Sequence, residues 1–310
     1  MKGTTDGTAG IGRQAVRACL LVLAVACACP VAAQGPQPDP AAADPVARGA
    51  YILHAAGCAS CHTARGEGAA PLAGGTALTT AFGTFYSPNI TPDPEHGIGR
   101  WTEEEFARAL RQGISPEGYA YYPAFPYTSY TGMTDRDVAD LWAYLRTVPP
   151  AAQENRPHEL GLPYRWRFLL PVWRWLYFEE GATLVDAGRP PSWNRGAYLV
   201  GTLAHCGECH TPRGLLGGPD HDRLLAGNPE APEGRGSVPN ITPDPEDGIG
   251  DWSDDDLIFF LELGMLPDGD FAGGSMARVI EETTSRLTPE DRAAIVEFLR
   301  SVPAVGGIRG

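Results

Sequence analysis

RGAYILHAAGCASCHTARG (48–66) and RGAYLVGTLAHCGECHTPRG (195–214) open two halves of one chain. Each begins Arg-Gly-Ala-Tyr and runs into Cys-x-x-Cys-His-Thr. A second pair follows, PNITPDPEHGIGRW (88–101) and PNITPDPEDGIGDW (239–252), in which twelve of fourteen residues agree. Rich in Pro, Gly and Asn, these stretches suit neither helix nor strand. A loop written twice so faithfully suggests that each copy wraps the same object. Each copy leads into a helix start: Thr102-Glu103-Glu104-Glu105 fits a capping box, and Ser253-Asp254-Asp255-Asp256 repeats its polarity with a shorter acid. Each half then closes on a further helix, TDRDVADLWAYLRTVP from Thr134 and TPEDRAAIVEFLRSVP from Thr288. Both have a Thr cap, early acids and apolar residues at helical spacing. The predicted order in each half is helix, cysteine motif, long loop, helix, loop, helix. No stretch alternates with period two for long enough to predict a sheet.

Of seven cysteines, Cys19, Cys27 and Cys29 lie near the N-terminus, and Cys58, Cys61, Cys206 and Cys209 make up the two motifs. Two cysteines three apart reach both vinyl groups of one haem, and the adjacent His62 or His210 then faces the iron. Two such motifs in matching frames predict two covalently bound haem c groups. A zinc site with four thiolates is the competing reading. It is weakened by the His behind each pair and by the separation of the pairs into two repeats. A thioredoxin-like redox pair would want a βαβ setting, which is not predicted. The wrapped object is then a haem. Ile90 and Ile241 are expected to pack on the porphyrin, and Trp101 and Trp252 to offer indole N–H groups to propionates. Arg65 and Arg213, three residues past each His, are further propionate candidates. Core packing for the Trp residues and solvated charge for the Arg residues are the alternatives.

The 310 residues suffice for two domains, and a formal net charge of −14 argues against nucleic acid and towards basic partner surfaces. Lys2, Arg13 and Arg17 precede an apolar run from Ala18 to Ala33 that ends in small residues. This reads as a cleaved export signal over 1–33, the run being shorter than the roughly 20 residues of a membrane span. Two domains are expected at 45–150 and 193–305, joined by a linker at 151–192. The linker carries YRWRFLLPVWRWLYFEEG from Tyr164. Packing between the halves, docking on a partner protein and lying at a membrane surface are its three readings. Pro171 would start or interrupt a helix there.

Across about residues 45–303 the chain resembles the diheme bacterial class I-like cytochromes c, the haem subunits that accompany periplasmic and membrane-bound alcohol, aldehyde and sugar-acid dehydrogenases. The resemblance rests on CASCH, CGECHTPRG, both PNITPDPE loops, YPAFPYTSYTGMTD and GGSMARVIEETTSRLTPED. It implies an all-α fold of two tandem cytochrome domains. It also implies a periplasmic electron carrier with a dehydrogenase as donor and a cytochrome or oxidase as acceptor, and leaves peripheral membrane association open. Many relatives carry three haems; two motifs allow two here.

The sixth iron ligand separates carrier from enzyme. Of the four methionines, Met1 leaves with the signal, and Met265 matches Ile114 in the repeat register, as a core residue would. Met276, in GGSM, stands at the family position for the axial Met. The same register places Phe125 opposite it, so Met133 is the remaining thioether for haem one, and some relatives with the PAFPY loop use that later Met. The rival reading is a peroxidase-like diheme enzyme with an open haem one and His54 or His96 as its acid–base group. A weaker third is a purely structural subunit.

Overall fold

The computed structural model describes residues 44–231 and 236–306, so the export signal expected over 1–33, with Cys19, Cys27 and Cys29, lies outside the described residues. The first half contains α1 (Pro45–Ala55), α2 (Cys58–His62), α3 (Glu103–Gln112), α4 (Tyr127–Tyr130) and α5 (Asp135–Leu145). After α6 (Leu170–Tyr177), the second half contains α7 (Pro191–Tyr198), α8 (Gly207–His210), α9 (Asp254–Leu263), α10 (Gly274–Glu282) and α11 (Pro289–Ser301). Helix α7 runs on as a π turn, Leu199–Leu203. Both capping boxes close, the second despite its shorter acid: Ser253 N–H donates to Asp256 at 2.9 Å and Asp256 N–H to Ser253 Oγ at 3.1 Å. Thr134 and Thr288 cap α5 and α11.

In each half the first helix packs on the last, and a glycine in Arg-Gly-Ala-Tyr sets how close they come. A Cβ on Gly49 would sit 1.9 Å from the Asp140 carbonyl oxygen, and one on Gly196 the same 1.9 Å from that of Ala294. The neighbouring arginines fix the contact. Arg48 grips Asp140 through two bonds of 2.6 and 2.7 Å, and Arg195 grips Asp291 through two of 2.7 and 2.6 Å. Such forked pairs add direction as well as energy.

The expectation of an all-α fold needs correction. Strands β1 (Ala77–Thr80) and β2 (Gly83–Tyr86) form a hairpin, and β3 (Glu159–Leu160), from the linker, pairs antiparallel with β2. The hairpin is short, and its turn, Ala81-Phe82, lacks the Asn-Gly type of sequence that marks hairpins. Gly83, at φ +125°, lets β3 approach: a Cβ there would lie 2.4 Å from the Glu159 carbonyl oxygen. The linker bonds to the first half through Asn155, which accepts from Asn89 N–H at 2.7 Å and donates to His96 O at 2.8 Å.

Pro171 starts α6, standing in its first turn. The inner face of the helix touches both halves: Arg174 donates to the Gln112 carbonyl, and Trp173 Nε1 to the Leu216 carbonyl at 2.8 Å. Phe168, Val172 and Trp175 point outward, with Trp175 82% exposed. Inter-half packing therefore describes only one face of this segment.

One apolar cluster runs through both halves, taking in Ile52, Leu53 and Leu141 with Leu199, Ile295 and Leu299. The halves also exchange matching contacts. Tyr51 donates its hydroxyl to Asp291 of α11 and receives the Thr288 N–H at 3.2 Å. Tyr198 donates to Asp137 of α5 and receives the Thr134 N–H at 3.2 Å. The tyrosine of each Arg-Gly-Ala-Tyr thus caps the last helix of the other half.

Candidate haem sites

The residues of the repeated loop recur in the same bonds. Asn89 Oδ1 accepts from Thr91 N–H and Oγ1 at 2.9 and 2.7 Å; Asn240 Oδ1 accepts from Thr242 N–H and Oγ1 at 2.8 and 2.7 Å. These four side chains are at most 2% exposed. Their mutual bonds stabilise a bend that offers no backbone ladder. Asp93 and Asp244 each take two backbone N–H groups, those of Glu95 and His96 and of Glu246 and Asp247. The last helix of each half returns to the loop's end. Arg146 donates to the Gly99 carbonyl and Arg300 to that of Ile249, both at 2.9 Å.

This bend orients the histidines. His62 Nδ1 lies 2.7 Å from the Pro88 carbonyl oxygen and His210 Nδ1 2.8 Å from that of Pro239, the first residue of each loop copy. A carbonyl can only accept, so Nδ1 carries the proton and the lone pair sits on Nε2, as in a metal-ligating imidazole held by an outer partner. Burial lowers the pKa of both rings below the ordinary histidine value, with the proline carbonyls opposing. A second twin backs each motif. Leu72 and Leu225, both buried, adopt left-handed backbone at φ 60° and 64°. Their N–H groups reach Thr63 Oγ1 and Thr211 Oγ1 at 3.1 Å, and their carbonyls accept from Ile90 and Ile241.

The residues present fit a haem. Cys58 and Cys206 have their thiols pushed up to about 12, by burial first and by the neighbouring cysteine second, so each is an uncharged sulfur in apolar surroundings. A thioether is equally uncharged. Cys58, Cys206, Ile90, Ile241, Trp101 and Trp252 all border the apolar cluster. Trp173 and Trp193 spend their indole N–H on protein acceptors; Trp101 and Trp252 have no such bond among the described residues, which leaves them suited to an acceptor on a bound group. No cluster of three or more His, Cys, Asp or Glu side chains able to hold a metal ion occurs among the described residues.

A model of the cytochrome c family matches residues 46–149 and 193–303. The chain belongs to the cytochrome c family. It is 50% identical over 261 residues to a diheme cytochrome c-type protein of Cereibacter sphaeroides, covering 83% of this chain and 86% of that one. It is 45% identical to the fructose dehydrogenase cytochrome subunit of Gluconobacter japonicus, covering 88% of this chain and 56% of the relative. With the gluconate 2-dehydrogenase cytochrome c subunit of Pantoea cypripedii it shares 38% identity, covering 84% of this chain and 60% of that one. The chain thus spans little more than half the length of these two dehydrogenase subunits. No helix among the described residues is long and apolar enough to cross a membrane.

The remaining candidates fall unevenly. Met133 is 4% exposed, part of the apolar cluster and directly ahead of the Thr134 cap. Met276 is half-buried in the first turn of α10. The bridges Ile114–Ala120 and Met265–Phe271 are equivalent, which fixes the register that sets Met276 against Phe125. Phe125 packs its ring on Tyr121, Tyr127 and Tyr130. Arg65 is exposed, whereas Arg213 binds the Glu208 carboxylate and carbonyl and the Gly217 carbonyl. Arg213 therefore braces its own motif, and the two arginines are not equivalent. His54 faces Glu282 and Arg286 of the other half. His96 gives its backbone N–H to Asp93.

Sequence reasoning passed over Tyr51, Tyr198, Arg146, Arg300, Tyr130 and Glu208. Its available signal was repetition: Arg-Gly-Ala-Tyr and Leu-Arg-x-Val-Pro occur in both halves. Tyr130 and Glu208 have no matching residue in the other repeat.

Proposed function

We propose that the protein is a periplasmic two-haem electron carrier, taking single electrons from a dehydrogenase and passing them to a downstream cytochrome or oxidase. The observation that carries this reading is the twin bond from His62 to Pro88 and from His210 to Pro239, each behind its own Cys-x-x-Cys-His. Cys58 and Cys61 hold haem one by thioethers and His62 is its first axial ligand; Cys206, Cys209 and His210 do the same for haem two. Met133 and Met276 are the second axial ligands. Ile90 and Ile241 pack on the porphyrins, and Trp101 and Trp252 bind propionates. Bound haem supplies a one-electron iron couple, and a His/Met ligand pair sets its potential high and closes the iron to substrates.

The relatives named as fructose and gluconate dehydrogenase subunits support a dehydrogenase as donor. With a net charge of −14, the carrier should meet a basic partner surface and associate more slowly as salt screens the attraction. The test mixes oxidised protein with purified periplasmic dehydrogenases and their substrates and follows haem reduction at rising ionic strength. Reduction that slows with salt supports the reading. Reduction by no dehydrogenase, together with peroxide turnover, would favour the diheme enzyme.

A further inference from the structure

The residue before the first cysteine of each motif adopts left-handed backbone. In half one it is Gly57, at φ +63°; in half two it is His205, at φ +40°. Glycine takes this conformation freely, whereas a side chain with a Cβ is strained there. Half two therefore retains a strained residue where its twin shows that glycine serves. Strain kept at one copy of a repeat points to a use for the side chain.

The His205 ring stands edge-on to Tyr130 of the other half, with ring centroids 5.5 Å apart at 73°. Tyr130 is 5% exposed, and its hydroxyl donates to the Ala56 carbonyl at 2.6 Å, two residues before Cys58. That carbonyl also faces the His205 ring. The neighbours of Tyr130 hold the contact in register: Thr128 Oγ1 and Ser129 Oγ donate to Glu208 Oε1 at 2.7 and 3.1 Å. A continuous chain of bonds and contacts thus runs from Cys58 through Ala56, Tyr130 and His205 to Cys206. At the equivalent position of half one a Cβ on Gly57 would lie 3.3 Å from Thr283 Oγ1, and nearby Arg278 donates to the Thr63 carbonyl at 2.9 Å. Among the described residues the aromatic connection between the halves is made once.

We propose that Tyr130 and His205 are positioning residues that couple the two haem-attachment motifs for electron exchange. With haem held at both motifs, one electron would pass from a ferrous iron at one to a ferric iron at the other, and neither the Tyr130 nor the His205 side chain would be oxidised. Filling the junction with two packed rings replaces gaps and solvent with a short contact path, through which tunnelling falls off less steeply.

This inference rests on the two-haem reading, so haem content is measured first on the isolated holoprotein: a parent chain with one haem or none ends that reading, whatever the rates. His205→Gly restores the residue of half one and relieves the backbone while removing the ring that packs on Tyr130. It should slow electron equilibration between the haems several-fold, measured by flash photolysis of the half-reduced protein, with both absorption spectra unchanged. His205→Asn, which also tolerates left-handed backbone, should slow it equally and serves if the glycine variant loses a haem. Tyr130→Phe keeps the ring and should slow it less. Equilibration at the parental rate in His205→Gly or His205→Asn, with both haems bound, overturns the proposal.

Discussion

Tyr51, on the first helix of one half, donates its hydroxyl to Asp291 in the first turn of the last helix of the other, and Tyr198 returns the same bond to Asp137. Burial, and then the neighbouring carboxylate, raises both phenol pKa values, so each hydroxyl stays a donor at neutral pH. Tyr198→Phe should destabilise the protein by about 1.5–3 kcal/mol, the usual range for a bond to a charged group. Tyr51→Phe should cost less, because Arg195 still holds Asp291. The parent should unfold in denaturant as one transition by haem absorbance and by circular dichroism. The double variant should separate the halves into two transitions. A single unchanged transition in the double variant would show that the reciprocal bonds do not join them.

Gly49→Ala and Gly196→Ala should each destabilise by at least about 1–3 kcal/mol, as overpacking does. The added methyl meets a backbone carbonyl at 1.9 Å in both cases, and a carbonyl in a helix cannot turn aside. Chemical denaturation of both variants checks this. A loss in one but not the other would mean that the two helix crossings are not equivalent.

Much of this arrangement could be read from the sequence, because the repeat marks it. The capping residues Thr102, Ser253, Thr134 and Thr288 sit where the local pattern places them, and local chemistry decides helix starts. The hairpin was illegible for a related reason. β1 and β2 are four residues each, and the third strand arrives from some 75 residues away. The tyrosine exchange depends on how two halves meet, which no local pattern encodes, although Arg-Gly-Ala-Tyr drew attention to itself by recurring. Tyr130 and His205 lay beyond that signal, since each stands opposite an unlike residue in the other repeat.

Glu208 links acidity to the contact between the halves. Burial alone would raise its pKa, but the Arg213 charge and the Thr128 hydroxyl outweigh burial and leave it below the ordinary glutamate value. A folded pKa below the unfolded one gives stability that is present above about pH 4.3 and is lost as pH falls through the folded value. The thermal midpoint of Glu208→Gln should be lower than the parent's at neutral pH, and the gap should close in acid. A gap of constant size from about pH 7 to about pH 3 would assign the effect to lost packing instead.

The axial methionines should report separately. Met133→Ala is expected to open haem one and leave haem two low-spin, and Met276→Ala the reverse. Each variant should lose part of the weak sulfur-to-iron absorption at the red end and bind carbon monoxide when reduced. If Met133→Ala keeps the full band and binds no more carbon monoxide than the parent, haem one takes its sixth ligand elsewhere, and His54 and His96 are the first replacements to test.

Everything rests on two haems held by two equivalent motifs. The most direct measurement is covalent haem content, by intact mass and by haem absorbance after denaturation, in the parent and in Cys206→Ala/Cys209→Ala. Two haems in the parent and one in the variant, with the His62 site still filled, is the predicted result. Two haems remaining in the variant, or fewer than two in the parent, would contradict it.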